Sequence, residues 1–272
     1  MTASIVIADS VTALGADARG AVLVTGSHGG RIAAQYASSA GVRAAIFNDA
    51  GRGCDDAGIA GVRALDEVGM AAAAVAHASA RIAVAADTLA RGIIAFANDG
   101  ASRHGVTPGM RCREAAERLR TAPLPKAVLA ATREARHEFD PGSIDAAPIL
   151  GLDSIGGVRA GDAGAVLVIG SHGGLHGGDP ASALPIDAAG ALFHDAGGGR
   201  EGAGYSRLPV LDTRGIAAAT VGHASARIGD ARSMWASGVL SRVNAVAAAH
   251  GLTVGMRVDE AARRLARGKA SG

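Results

Sequence analysis

The chain has 272 residues, 49% of them hydrophobic and only 3% aromatic, so it can bury a sizeable core built from Ala, Val, Ile and Leu rather than from rings. Its formal net charge is +2, with 27 basic and 25 acidic residues, which excludes the concentrated positive charge that nucleic acid or an anionic membrane surface requires.

The N-terminus, MTASIVIADS, has no basic region ahead of a long apolar segment, so no signal peptide is expected, and its IVIAD core reads as a short strand. GAVLVTG, stopping at glycine, predicts a buried strand. RIAAQYASSAG predicts a helix with a glycine stop, and VRAAIFND another strand. DAGIAGVRALDEVG predicts a helix and MAAAAVA a strand. One longer helix is predicted from Asp87 to Ser102, and a last one from Arg113 to Arg120. Strands alternating with helices predict a mostly parallel sheet flanked by helices. Right-handed crossovers then bring the strand C-terminal ends to one edge.

The same pattern is then repeated. ADSVTALGADARGAVLVTGSHGG matches LDSIGGVRAGDAGAVLVIGSHGG, FNDAG matches FHDAG, HASARI recurs unchanged, and HGVTPGMR matches HGLTVGMR. Ser27 and Ser171 are 144 positions apart, His77 and His223 are 146 apart, and so the second copy carries a two-residue insertion between His172 and Asp195. The expected architecture is therefore α/β, with two tandem homologous repeats related by a pseudo-two-fold. The first α/β module spans 1–122 and the second 146–272. Between them, at 123–145, APLPK and DPGS bracket a segment, AVLAATREARHEF, that reads as a connecting helix.

The only two cysteines, Cys54 and Cys112, have no cysteine counterparts in the other copy and no metal-type spacing. They are expected to be reduced thiols in a cytoplasmic protein. No stretch is long and apolar enough to span a bilayer. The basic run from Arg263 to Lys269 alternates with apolar residues and reads as a solvated helix face.

Three polar motifs follow strand ends in each copy and should gather at one sheet edge. In the first, Gly26-Ser27-His28-Gly29-Gly30 and Gly170-Ser171-His172-Gly173-Gly174, the glycines permit close backbone approach. The loop amides would cradle a carboxylate, a phosphate or an oxyanion, or else form a tight turn capped by serine. The second places Asp49 and Asp195 where they can orient a histidine, hold a metal, act as a base or cap a helix. Its sharpest asymmetry is Asn48 against His194. The third brings His77, Ser79 and Arg81, and likewise His223, Ser225 and Arg227, into one turn. Arginine is a bidentate clamp for an anion, and histidine titrates near neutral pH. The competing structural reading is a network of ion pairs.

Over the GSHGG loop, the helix after it and the GVRAAIFNDAG strand, each copy resembles the swivelling phosphohistidine domain of phosphoenolpyruvate-utilising enzymes. There a Gly-rich loop with Thr/Ser-Ser-His precedes a helix and a Gly-Ile-Pro-Ala strand. This chain lacks that proline and carries HASARI, which that family does not use. The resemblance is confined to the loop and implies only an alternative, a phosphohistidine carrier using His28 or His172.

The reading these residues favour is an enzyme acting on a small polar or anionic substrate, most readily a hydrolase of a small amide, imide or lactone. Ser27, His28, Asp49, His77, Ser171, His172, His194, Asp195 and His223 are the candidate catalytic groups. Gly26, Gly29, Gly30, Ser79, Arg81, Gly170, Gly173, Gly174, Ser225 and Arg227 are the candidate substrate-binding groups. A lyase or isomerase of a small carboxylic acid needs much the same groups, and a non-catalytic anion binder needs only the arginines and amides. No cofactor is expected. A divalent metal is left open, as is a homo-oligomer. The expected partner is a small-molecule substrate, with no nucleic acid and no membrane.

Overall fold

The computed structural model describes residues 2–268; Lys269, at the end of the basic run, lies outside them. The chain divides into two compact units. Unit 1 holds residues 1–133 with His176–Gly178 and Ala196–Ala203, and unit 2 holds the remainder.

Unit 1 runs β1 (Ile5–Ala8), β2 (Val22–His28), α1 (Arg31–Ser39), β3 (Ala44–Asn48), α2 (Ala60–Ala64), β4 (Ala71–Val75), α3 (Ala85–Arg91), β5 (Ile94–Ala97), α4 (Asp99–Arg103) and α5 (Cys112–Leu119). The sheet order is β1-β2-β3-β4-β5, parallel throughout except for β5 against β4. Because side chains alternate across a strand, each strand feeds both faces. Leu23, Ala45, Phe47, Ala72 and Ala74 pack against Ala34 and Ala37 of α1 and Val62 of α2. Val22, Val24, Ala44, Ile46, Ala73 and Val75 pack on the other face against Ala115, Ala116 and Leu119 of α5. A sheet buried on both faces explains why the strands read as unbroken apolar runs.

Unit 2 runs β6 (Arg136–Asp140), β7 (Ile149–Leu152), β8 (Val166–His172), β9 (Gly190–His194), α6 (Arg207–Thr213), β10 (Ala217–Val221), α7 (Ala231–Ser237), β11 (Leu240–Val243), α8 (Ala245–Ala249) and α9 (Val258–Ala266). Its order is β11-β10-β9-β8-β7-β6, with β7 to β10 parallel and both edge strands antiparallel. The run after the second GSHGG, where proline and extra glycines interrupt the helical pattern, forms no α-helix. A short 3-10 turn, Pro180–Ser182, capped by Asp179, takes its place. Among the described residues no helix is long and apolar enough to cross a membrane.

Two expectations fail. The connecting helix at 123–145 does not form. Residues 123–135 hold no helix or strand, and Arg136–Asp140 is strand β6. The cause is tertiary. Phe139 lies flat on Gly151, where a Cβ would come within 2.3 Å of its ring, and stacks on Trp235 at 4.5 Å between centroids. Arg136 pairs with the nearly buried Asp162 and holds that carboxyl below the usual carboxylate range by hydrogen bonding. The single long helix from Asp87 to Ser102 is also wrong. Gly92 ends α3, and the Ile93-Ile94 run that follows pairs as β5 before α4 starts at its Asn98 cap.

Candidate functional site

β2, β3 and β4 are parallel, and an irregularity in β2 after Val24 shifts its register so that His28, Asn48 and Val75 end side by side, with His77 two residues later. His172, His194 and Val221 end side by side in unit 2. The strand order is consecutive, so winding never reverses and there is no switch-point crevice. The edge is instead covered by the chain beyond HASARI, which crosses the end of β2. Ala83 N donates to Gly26 O at 2.7 Å, and Gly229 N donates to Gly170 O at 2.9 Å.

That crossing explains the first glycine of each GSHGG. A Cβ on Gly26 would stand 2.5 Å from the Ala83 carbonyl carbon and the Val84 nitrogen, and one on Gly170 would stand 2.7 Å from Asp230 N. We expect Gly26→Ala to destabilise the fold by about 1–3 kcal/mol in urea unfolding, because both obstacles are backbone. An unchanged midpoint would refute the tight crossing. Gly29 and Gly173 are pressed in the same way, by Val62 with Gly58 O and by Gly204 O.

The loop amides are donated within the chain. Ser27 N reaches Thr25 Oγ1 at 3.1 Å, Gly29 N reaches Asn48 O at 2.9 Å, and Gly30 N reaches His28 Nδ1 at 3.1 Å. In unit 2, Gly173 N reaches His194 O at 2.9 Å and Gly174 N reaches His172 Nδ1 at 3.2 Å. The anion cradle drawn from this motif is thus directed at acceptors of the protein itself. The serines are likewise engaged: Ser27 Oγ accepts from Val11 N at 3.1 Å and Ser171 Oγ from Ile155 N at 3.0 Å. An imidazole nitrogen that accepts carries no proton, so the neutral rings of His28 and His172 are protonated at Nε2.

The opposite tautomer is set one motif later. Asp49 is nearly buried, and its Oδ1 accepts from His77 N at 2.8 Å and Gly51 N at 3.0 Å and lies 3.1 Å from His77 Nδ1. A carboxylate only accepts, so His77 holds its proton on Nδ1 and the lone pair on Nε2. The His77 side chain is 31% exposed, against 5% for Asp49. In unit 2, Asp195 Oδ1 accepts from His223 N at 2.9 Å and lies 3.3 Å from His223 Nδ1, but Nδ1 makes no hydrogen bond to it, so the ring is not held as His77 is. Gly197, in unit 1, packs against the His77 ring; a Cβ there would come 2.8 Å from its Cδ2.

The segment that carries Asp49 is conformationally unusual. Ala50, Gly51, Arg52 and Gly53 all have φ between 49° and 73°, and Ala196 has φ 50°. Glycine takes such φ values freely, but Ala50 and Arg52 each cost about 1–3 kcal/mol there and persist only where the surroundings over-determine them. Here Asn48 Oδ1 holds Ala50 N at 2.9 Å, and Asp49 Oδ1 holds Gly51 N.

His194 turns out to do the work of Asn48. Its Nε2 donates to Ala226 O at 3.1 Å, as Asn48 Nδ2 donates to Ala80 O at 3.4 Å. Burial pushes the His194 imidazole down to about 4, opposed in part by the Asp195 charge, so it is neutral at physiological pH. Ser79 and Ser225 brace their own turns: each hydroxyl donates at 2.7 Å to a carbonyl three residues back and accepts a strand amide, Ile93 N or Val239 N. Arg81 bonds Glu201, through Nε at 2.7 Å and also through Nη2, and holds that carboxyl below its ordinary range. Arg227 bonds Asp230 through Nη2 at 2.9 Å. Both pairs are exposed, where an ion pair contributes little.

Reading the sequence misses several residues that hold this edge. Asp9 and Asp153, whose pairing between copies is visible, accept from Ala85 N at 2.7 Å and Ala231 N at 3.0 Å, capping α3 and α7. Asn98 and Asn244, whose match along the sequence suits residues that bridge backbone groups, cap α4 and α8 and also bond Ala72 N and Ala218 N, at the opposite edge where β4 and β10 begin. Arg207, fully buried, stands where unit 1 has Gly61, a signal available only from aligning the two halves of the sequence. Among the described residues no group of three or more His, Cys, Asp or Glu side chains is placed to hold a metal ion. The chain matches no known protein family, and no curated protein and no solved structure shows significant similarity to it.

Proposed function

We propose that the protein is an acid–base enzyme that hydrolyses a small amide, imide or lactone with water as the nucleophile. The observation that carries this reading is the His77–Asp49 dyad; His223 and Asp195 stand at the matching place in unit 2 and share its backbone bond but not its side-chain bond. A nearly buried carboxylate orients a partly exposed imidazole so that Nε2 presents a lone pair. In the proposed step, His77 Nε2 takes a proton from water while the oxygen bonds to the carbonyl carbon, and Asp49 steadies the imidazolium. His28, protonated on Nε2 and two strands away, about 10 Å at ordinary strand spacing, supplies the opposite polarity for the developing oxyanion or leaving group. Serine is not the nucleophile in this scheme, since Ser27 and Ser171 brace neighbouring backbone.

We further propose that the two units arose by duplication. Matching motifs occupy matching strand ends, the four parallel strands follow the same order in both sheets, and Asn48 and His194 make equivalent bonds.

The test is turnover of a panel of small amides, cyclic imides and lactones in ¹⁸O-labelled water. Hydrolysis is expected to place one ¹⁸O in the product carboxyl group. Turnover without label would point to lyase or isomerase chemistry and overturn the hydrolytic reading.

A further inference from the structure

Arg207 opens α6 and is, among the described residues, the largest fully buried side chain. Its backbone N donates to Gly173 O at 2.9 Å, as Gly61 N donates to Gly29 O at 2.9 Å in unit 1. There the resemblance ends. Gly61 is pressed by α1: a Cβ would lie 2.3 Å from Gly30 O and 2.6 Å from Ala34 Cβ. Unit 2 has no helix at that place, and the Arg207 side chain occupies it.

Its guanidinium is unevenly satisfied. Nη1 donates to the carbonyl oxygens of Ser182 and Ala183, and Cζ lies 5.5 Å from the centre of the Phe193 ring. Nε and Nη2 are buried and have no hydrogen-bond partner. No carboxylate among the described residues offsets the charge; burial alone acts on the group, lowering it to about 10, so it remains a cation at neutral pH. Buried charged donors without acceptors are rare, because each lost hydrogen bond to water must be replaced. The two unsatisfied groups are also not an arbitrary pair. Nε–H and the outer N–H of Nη2 are parallel and form the guanidinium edge that grips two oxygens of one oxyanion. Nη1, meanwhile, is anchored by backbone, which fixes the plane of the fork.

We infer that the Nε–Nη2 edge of Arg207 is a buried binding site for a small oxyanion, a carboxylate or a phosphate, in unit 2. It stands apart from the His–Asp dyads and does not depend on their proposed chemistry. The anion reaches it when the segment 180–183, whose Ser182 and Ala183 carbonyls flank the guanidinium, moves aside. The fork is one guanidinium edge with two N–H groups, which matches two oxygens of a single small anion.

The test is an NMR titration of the whole chain. The Arg207 Nε–H signal, slow to exchange because it is buried, is assigned by its loss in Arg207→Lys. It is then followed with inorganic phosphate, with acetate, and with sodium chloride at matched ionic strength. A saturable shift with phosphate or acetate, beyond that seen with chloride, is the expected result, and which of the two acts names the class of ligand. In parallel, the active anion should raise the wild-type melting temperature by about 3–5 °C well above its Kd, and should not raise that of Arg207→Met. A signal that no anion moves means that solvent satisfies the fork and overturns the site. So does an equal response to chloride, or a thermal gain retained in Arg207→Met. If Arg207→Met does not fold, the wild-type titration alone decides.

Discussion

Replacing His77 and His223 together by Gln is expected to lower kcat on any substrate found in the panel by about 100- to 10,000-fold. That is about 3–5 kcal/mol of transition-state stabilisation. The expectation follows from tautomer control. Asp49 fixes the proton on Nδ1 of His77, so Nε2 is the only basic atom of the ring. Gln keeps a side-chain N–H donor for the carboxylate, and the backbone bond from residue 77 to Asp49 Oδ1 is independent of the side chain. The variant should therefore fold while losing the base. Only His77 hydrogen-bonds its carboxylate through Nδ1, so His77→Gln alone should take the larger share of the loss. A double variant with wild-type kcat would remove the dyads from the chemistry.

Asp49→Asn separates orientation from charge. An amide oxygen can still accept from His77 N and Gly51 N, which keeps the left-handed turn, but it cannot stabilise an imidazolium. The expected signature is a lower kcat with KM little changed, and a melting temperature close to wild type.

Much of this edge could be read before any fold was known, and the reasons are physical. Four-strand parallel sheets buried on both faces leave unbroken apolar runs, and GSHGG, NDAG and HASARI follow those runs directly. Their meeting at one edge then depends only on parallel pairing. What each motif does there was less legible. The glycines of GSHGG look identical whether they receive a ligand or a crossing chain; only the Ala83 and Gly229 contacts tell them apart. The antiparallel strands β5 and β11 hide inside helical patterns because their length is only four residues each and helices flank them. Strand β6 hides for another reason. Its stability comes from Phe139 on Gly151 and Trp235, partners far along the chain that no local pattern registers. His194, the sharpest difference between the two halves of the sequence, makes the bond to a turn carbonyl that Asn48 makes in unit 1, and that bond to Ala226 O becomes visible only when the turn is built.

That substitution has a measurable consequence for stability in acid. The folded protein holds His194 near 4 because the ring is buried, whereas an unfolded chain returns it to its ordinary value near 6.5. Between those values the unfolded state binds a proton that the folded state refuses. Stability contributed by the neutral ring is therefore complete above pH 6.5 and is lost as pH falls towards 4, by about 3 kcal/mol in all. Asn at this position makes the same class of bond in unit 1 and cannot be protonated. His194→Asn is thus expected to carry a fixed cost from its smaller volume at every pH, and to lose less further stability than wild type between pH 6.5 and pH 4. Urea unfolding at half-unit intervals of pH measures the difference. Carboxylates such as Asp162 also lose their partners in acid, but they do so equally in both proteins and cancel in the comparison. Curves that run parallel through this range would mean that His194 is protonated in the folded state, and that its ring does more than hold the turn.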